Sequence, residues 1–358
     1  MAEEKRILAV THQLSRTGPP LVLFDAIKIL IEEGYIVNVL AMSDGPLKED
    51  LEDCGIMVTF GDNILKDYNV WIEIFKMYDL VICNTLVSLE AVHVLSLTDI
   101  PTLWWIHEPQ NYFELLKDVL PDIKNLKSNI KMIAASPVIR DIIASRYQVE
   151  VPLVMPFVED VTIESERDKS DKAVFVCAGV YSSMKGQDLL MAAVKQLPNQ
   201  MLDKCKFEFY GAKAQADEGI LEQLNKAKKE GYPIMVGDAL SRSDMLETIK
   251  KAHYLIAPSR TDTLSMVAVE AMMLSTVPII SKHCGVTKAI SDESYIGIDP
   301  YDVTAFANVI EDAVRMREDK SKYREYAEAA RIQYETYFTK DIFKQQFLTW
   351  AKHALSLS

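Results

Sequence analysis

Short apolar runs separated by stretches of helical period recur along this chain in two series, and that repetition limits the fold more than any other feature of the sequence. In the first half, "RILAV" leads through a loop to the helix-like "LVLFDAIKILIEEG" and then to "YIVNVLAM" from Tyr35, a strand, helix, strand unit. "DLVICN" and "TLWWIH" follow at similar spacing. Strands that read as continuous apolar runs and alternate with helices belong to a parallel sheet covered on both faces. The second series opens at "AVFVCAGV", from Ala173 to Val180, and continues through "CKFEFYG", "YPIMVG", "AHYLIAPS" and "TVPIIS". The expected fold class is α/β, with two doubly wound domains.

A chain of 358 residues exceeds the usual single domain and fits two independent cores. Between the series, "PLVMPFVEDVTIESERDKSDK" carries two prolines and dense charge, which places the boundary at residues 156 to 172. Two such domains present the carboxyl ends of their strands to a cleft, so ligand-binding residues are sought just after strands.

The formal charge of -13 and pI near 5.0 argue against the basic face that a nucleic-acid partner requires. Cys54, Cys83, Cys177, Cys205 and Cys284 are scattered singly, without the paired spacing of a zinc site or a disulfide framework. "MAEEKRILAVTH" runs from acid directly into a strand with no secretory signal, and no apolar run reaches the roughly 18 residues of a membrane span. A soluble, cytoplasmic protein is expected. No G-x-G-x-x-G follows a strand and no lysine follows a Walker-type glycine loop, which sets aside dehydrogenases and P-loop enzymes.

The stretch "PSRTDTLSMVAVEAMMLSTVPII", Pro258 to Ile280, sets two acids around a small hydroxylated turn. "LIAPS" reads as a strand ended by Pro258, so Arg260 to Leu264 form a loop at the carboxyl end of the sheet. Ser265 reads as the N-cap of a helix starting at Met266, whose unpaired amides and positive dipole end suit an anion such as a diphosphate. Glu270 lies about one turn into that helix, within reach of a ribose, and Asp262 precedes it. The plainer alternative makes Ser265 a simple cap, Asp262 a turn residue and Glu270 a solvated helix acid. In "CAGVYSSMKGQDLLMAAV", a strand ends at Gly179 and Lys185-Gly186 precede a helix. Lys185 is either a phosphate counter-charge or a surface lysine.

The chain resembles the retaining glycosyltransferases of family 4, which have the two-domain GT-B architecture and move a sugar from a nucleoside diphosphate to an acceptor. The most specific part is the pair of acids with seven residues between them, followed by "AMMLSTVPII", similar to the family's E-A-M-A-x-G-x-P-V-I. The resemblance implies two Rossmann-like domains facing across a cleft, residues 1–160 on the acceptor side and 161–340 for the donor, with a terminal helix at about 341–358 packed back on the first. It also implies that Glu270 holds the nucleotide ribose, Asp262 the donor sugar and Lys185 the diphosphate. Leu264, Ser265 and Met266 fall where backbone amides meet sugar and phosphate. Gly18, in "THQLSRTGPPLVLFDAI", matches the family's glycine-containing first loop, or is needed only for the turn. His107, ending "TLWWIH", falls beside the donor sugar and the site of transfer, or is a packed strand-end histidine. Gly211 and Gly237 lie where the family receives the base, and Trp104 and Trp105 read as core.

The chain departs from the family at three places. Val180 replaces the arginine that follows the glycine of the second stretch, and Arg260 is the candidate to supply the missing charge. Asp262 stands where glutamate is usual, and Thr263-Leu264-Ser265 replace a glycine-rich turn. The implied reaction uses no cofactor and no metal, since no D-x-D cluster occurs and Lys185 with the helix amino end can neutralise the diphosphate. No protein nucleophile is assigned; Asp262, His107 and Lys185 are the catalytic candidates. The donor is expected to be a UDP-sugar, with a GDP-sugar as the alternative, and the acceptor a sugar, a lipid-linked or a protein hydroxyl in polysaccharide or glycoconjugate synthesis. Two other readings stay open: a non-catalytic relative that binds nucleotide sugar or a partner protein, and a nucleotide-sugar epimerase of the same architecture. "YFELLKDVLPDIKNLKSNIKMI" spaces apolar residues and lysines as an amphipathic surface helix, which gives a membrane surface some claim as a partner.

Overall fold

Each series of apolar runs pairs into one parallel sheet. In a computed structural model that describes residues 4–167, 171–213 and 216–356, the chain divides into two units, Met1–Pro156 with Asp341–Ser358, and Phe157–Lys340.

The sheet of the first unit is built from β1 (Arg6–Thr11), β2 (Ile36–Ala41), β3 (Met57–Phe60), β4 (Leu80–Asn84), β5 (Thr102–Ile106) and β6 (Ile130–Ala134), in the order β3-β2-β1-β4-β5-β6. Ala9 sits between Val39 on one side and Ile82 on the other, so β1 and β4 are neighbours although the chain visits β2 and β3 between them. The interior strands are apolar at almost every position because helices cover both faces. Trp104 and Trp105 are fully buried core residues. Trp105 stacks on Phe343 and Phe347 of the helix Lys340–Leu355, at 5.9 and 5.5 Å between ring centroids. Lys344 of that helix pairs with Glu33 at 2.8 Å.

The second unit repeats the pattern with β7 (Ala173–Ala178), β8 (Cys205–Tyr210), β9 (Ile234–Gly237), β10 (Tyr254–Ala257), β11 (Val277–Ser281) and β12 (Ile296–Ile298), ordered β12-β11-β10-β7-β8-β9. Phe175 is in register with Tyr254 on one side and Phe207 on the other, and the three rings stack at 5.0 Å intervals across the sheet. Such pairs add about 0.5–1.5 kcal/mol beyond their buried area.

Three strands lie beyond the expected set: β3, β6 and β12. All are at sheet edges, where only one flank is paired, and β3 and β12 are short and half solvated. The helix expected from Tyr112 onward is corrected. The stretch holds the short helix Gln110–Leu115, a 3₁₀ turn at Ile123–Asn125 capped by Asp122, which accepts the Lys124 amide, and then β6. Pro121 lacks an N–H and its ring clashes with the preceding helical turn, so no continuous amphipathic face forms there. Among the described residues no helix is long and apolar enough to cross a membrane.

Candidate functional site

In both sheets the strand order reverses between the first strand and the fourth, and ligands of open parallel sheets collect at the carboxyl ends beside such a reversal. In the second unit this point lies between β7 and β10.

The loop after β7 is bent by two glycines. Gly179 has φ +145° and Gly186 φ +72°, and a Cβ on Gly186 would lie 2.1 Å from the Pro258 carbonyl oxygen. That close approach draws the loop after β7 against the loop after β10. It also sets Lys185 Nζ 2.7 Å from Asp262 Oδ2. The other Asp262 oxygen accepts from the amides of Leu264 at 3.4 Å and Ser265 at 3.1 Å. Asp262 is itself held by its main chain, which donates to the His283 carbonyl and accepts from the Gly285 amide. Ser265 stands at the N-cap position of the helix Met266–Met273, but the expected hydroxyl cap is absent. Its backbone is left-handed, at φ 73°, and the Asp262 carboxylate instead gathers the amides just before the helix. The amides that follow, from Met266, belong to the first turn, which a helix leaves without internal partners.

Glu270 lies on the same helix with its side chain only 15% exposed and Arg242 Nη2 3.6 Å away. Burial pushes its carboxyl above the usual range, and Arg242 pulls the other way. A solvated helix acid would show neither burial nor shift. Arg242 is a residue that sequence reasoning misses. The sequence marks it as the first residue of a helix capped by Ser241, but nothing local shows that the helix carrying Glu270 lies beside it.

Arg260, the candidate to supply the charge missing at Val180, is engaged by a carboxylate in this structure. Its guanidinium donates to both oxygens of Asp188, at 2.8 and 2.7 Å, and to the Ser183 carbonyl, so its charge is already met by a neighbouring carboxylate. Gly211 and Gly237 each have a packing requirement of their own: a Cβ would lie 2.2 Å from the Gly179 carbonyl oxygen at the first and 2.7 Å from the Tyr210 ring at the second. Tyr181 donates its hydroxyl to the Phe209 and Gly237 carbonyls at 2.9 and 2.7 Å, locking this corner.

In the first unit the reversal lies between β1 and β4. His12 follows β1 and Thr85 follows β4, with Thr85 Oγ1 3.1 Å from His12 Nδ1. Thr85 has φ 77°, a costly conformation for a β-branched residue. His107 follows β5, and its buried ring packs 4.9 Å from that of Trp105. Burial first, then His12, push its pKa down to about 3, so the imidazole is neutral. The buried Glu108 carboxylate accepts the Leu86 and His107 amides at 2.8 and 3.0 Å, and burial raises its pKa. Gly18 opens the helix Gly18–Glu32 with open space around it. Pro19 and Pro20 carry no N–H and the Leu21 amide donates to the Thr17 carbonyl, which leaves Gly18 as the first-turn donor.

The structure thus gathers Lys185, Asp262, Leu264, Ser265, Met266 and Glu270 at one sheet end, with Gly211, Gly237 and Arg260 around it. His107 and Gly18 belong to the other unit. Among the described residues no group of three or more His, Cys, Asp or Glu is placed to hold a metal ion.

Two family models match the chain: Glycosyl-transferase family 4 over residues 3–140 and Glycosyl transferases group 1 over residues 159–330. D-inositol 3-phosphate glycosyltransferase 1 of Catenulispora acidiphila is 28% identical over 147 residues, which covers 39% of this chain and 35% of that protein. The match spans about a third of that relative's length. Among solved structures, a glycosyltransferase from Rickettsia africae superposes with a TM-score of 0.81 at 15% identity, over 99% of this chain and 100% of that one. HepE of Anabaena, solved with UDP and glucose, gives 0.77 at 17% identity over 98% and 100%. These likenesses establish the fold.

Proposed function

The chain belongs to glycosyltransferase family 4, and from that premise we propose that it moves a hexose or N-acetylhexosamine from a nucleoside-diphosphate sugar, a UDP-sugar first, to an acceptor hydroxyl with retention at the anomeric carbon. The product belongs to polysaccharide or glycoconjugate synthesis. The observation that carries this reading is the 2.7 Å contact of Lys185 with Asp262, beside the first turn of the helix that bears Glu270. A lysine and a helix amino end put positive charge where a diphosphate sits, and the carboxylate beside them faces the sugar that follows it.

With no donor bound, Lys185 and Asp262 neutralise one another. A donor exchanges that pair for two others: Lys185 with the diphosphate, Asp262 with sugar hydroxyls. Glu270 accepts the ribose hydroxyls one turn further on. In the reaction the bond from the anomeric carbon to the diphosphate oxygen breaks and the acceptor oxygen bonds on the same face. The acceptor's proton passes to the departing diphosphate. Lys185 and the first-turn amides stabilise the leaving charge, and Asp262 favours the positive character that develops on the sugar. No metal is required in this scheme. HepE, of the same fold, has been solved with UDP-glucose, which makes a uridine nucleotide the first donor to try.

A second reading has its own support: Val180 leaves no arginine at that position, and Arg260 is committed to Asp188. A binding module without transfer fits those facts. Incubation with labelled UDP-glucose, UDP-galactose, UDP-N-acetylglucosamine and GDP-mannose, with and without chelator, separates the readings. Release of UDP or GDP with chelator present is the expected result. Saturable binding without release or transfer supports the binding module, an epimerised nucleotide sugar supports an epimerase, and no binding at all overturns the proposal.

A further inference from the structure

The second sheet carries positive charge at its other end as well. A cavity of about 790 Å³ opens by the amino ends of β10 and β11, the length of a strand, roughly 13 Å, from the carboxyl-end site. That volume suits a small organic ligand. Arg167 reaches it from the segment before β7, Arg317 from the end of the helix Val303–Glu318, and Lys320 and Arg324 from successive turns of the helix Lys320–Tyr337. Residues three and four apart on a helix share a face, so Tyr323 lies with them. Its hydroxyl donates to the His253 carbonyl at 2.6 Å, and its ring lies 5.5 Å from the Arg167 guanidinium carbon.

Among the described residues, carboxylates do not balance Arg167, Lys320 and Arg324 on this wall. It holds Glu318 and Glu328, and Glu318 is engaged by Lys204 at 3.2 Å. Arg167 donates to the Ala252 and Ser275 carbonyls and to the Thr276 hydroxyl, neutral oxygens that fix the guanidinium without neutralising it. Neither Lys320 nor Arg324 has an ion-pair partner among the described residues. Neighbouring Lys250 is pushed down by burial first and then by Arg167 and Arg331, of which Arg167 lines this cavity. In a chain of formal charge -13, a concave wall of this sign calls for an anion. A monocarboxylate leaves one of the two unpaired cations without a partner, whereas a phosphate monoester carries close to two charges near neutral pH and fits the guanidinium fork.

We propose that this cavity binds a phosphate monoester, with Arg324 and Lys320 on the phosphate and Tyr323 against the organic part. The ester is either a free metabolite or a lipid headgroup. The site does not depend on the transferase reading, since none of its residues takes part in the donor site.

Calorimetry of the full chain with ribose 5-phosphate, and cosedimentation with phosphatidylcholine vesicles containing phosphatidic acid, test the two sources. Saturable binding in either arm is expected, with ribose alone and plain vesicles inert. Affinity should fall about tenfold in Arg324→Gln and about a hundredfold when Lys320→Gln is added, at roughly tenfold for each charge-assisted contact. Arg324→Lys should recover most of the single loss, and the loss in Arg324→Gln should be the same size when Lys185→Ala is also present. Both side chains are exposed, so an unchanged thermal midpoint checks the fold of each variant. No saturable binding in either arm overturns the proposal, as does binding that is lost in Lys185→Ala and kept in Arg324→Gln.

Discussion

At the strand reversal of the first sheet the polar groups are His12, Thr85, His107 and Glu108; at the corresponding reversal of the second they are Lys185 and Asp262, with Glu270 and Arg242 beside them. Both points come from one topology, since β7 to β12 are ordered as β1 to β6 are, read from the opposite edge: the first strand of each unit pairs with its fourth. Burial drives the first set toward neutrality: it lowers His107 to about 3 and raises Glu108. The second set keeps a lysine and a carboxylate in direct contact. Topology therefore supplies the place, and the residues just after the strands supply the chemistry. A dianion finds counter-charge at Lys185 in the second unit, whereas the neutral His107 of the first offers it none.

If this contrast is right, its largest consequence is at Asp262. Asp262→Asn keeps the shape and removes the charge, and turnover should fall about 10²–10³-fold, the range for losing one preorganised electrostatic contact. Affinity for UDP alone should stay near parental, because the carboxylate serves the sugar. Labelled-sugar transfer and UDP calorimetry measure the two separately; parental turnover removes Asp262 from the chemistry.

A smaller effect is expected at Lys185. Lys185→Ala should weaken nucleoside diphosphate binding by about 1.5–3 kcal/mol, or roughly 10- to 150-fold, and leave the bare nucleoside unaffected. Equal losses for uridine and UDP would place Lys185 away from the phosphates and blur the distinction between the units.

His107 gives the first unit a test of its own. Its pKa falls from about 6.5 in the unfolded chain to about 3 in the folded protein, so the unfolded state binds more protons between those values. Its contribution to stability is complete above pH 6.5 and is lost as pH falls toward 3, at up to about 1.4 kcal/mol per pH unit. Glu108 works in the opposite sense, since an acid with a raised folded pKa loses its contribution as pH rises. The difference between parent and His107→Gln isolates the histidine. Urea unfolding from pH 4 to 7 should give a shallower slope for the variant; equal slopes mean that folding does not lower the His107 pKa, and the contrast in charge between the two reversals fails.

Much of this is legible in the sequence where structure depends on local period. The interior strands β1, β2, β4, β5, β7, β8, β10 and β11 announce themselves as buried apolar runs. The edge strand β9 is read from "YPIMVG" as well, but β3 is not, because Met57 and Phe60 are exposed and the run looks like any half-solvated loop. Pro121 is visible in the Tyr112 stretch but is outweighed by the helical spacing around it. At the site, the positions of Lys185, Asp262 and Glu270 follow from their place after strands and in the next helix. Their pairings do not. That Asp262, not the Ser265 hydroxyl, takes the amides before the helix depends on a left-handed Ser265, and that Arg260 is tied to Asp188 depends on a residue 72 positions earlier. Arg242 meets Glu270 only because two helices lie side by side.

The two units also differ at the glycine before or at the start of the helix that follows their first strand. Gly186 has a left-handed backbone and no room for a Cβ, whereas Gly18 has neither constraint, with nothing within 4 Å of the point a Cβ would occupy. Folding alone therefore requires glycine at 186 and not at 18. Gly18→Ala should change stability by less than about 1 kcal/mol, since the better helix propensity of alanine is offset by the Pro19 ring, which crowds a Cβ on the residue before it. What the methyl would obstruct is close approach to the Gly18 amide, the donor left in a first turn that holds Pro19 and Pro20. A KM raised a few-fold for donor or acceptor, with kcat near parental and the thermal midpoint little changed, is the expected outcome. Unchanged KM and kcat would reduce Gly18 to a helix start, and the recognition of charge would then rest with the second unit.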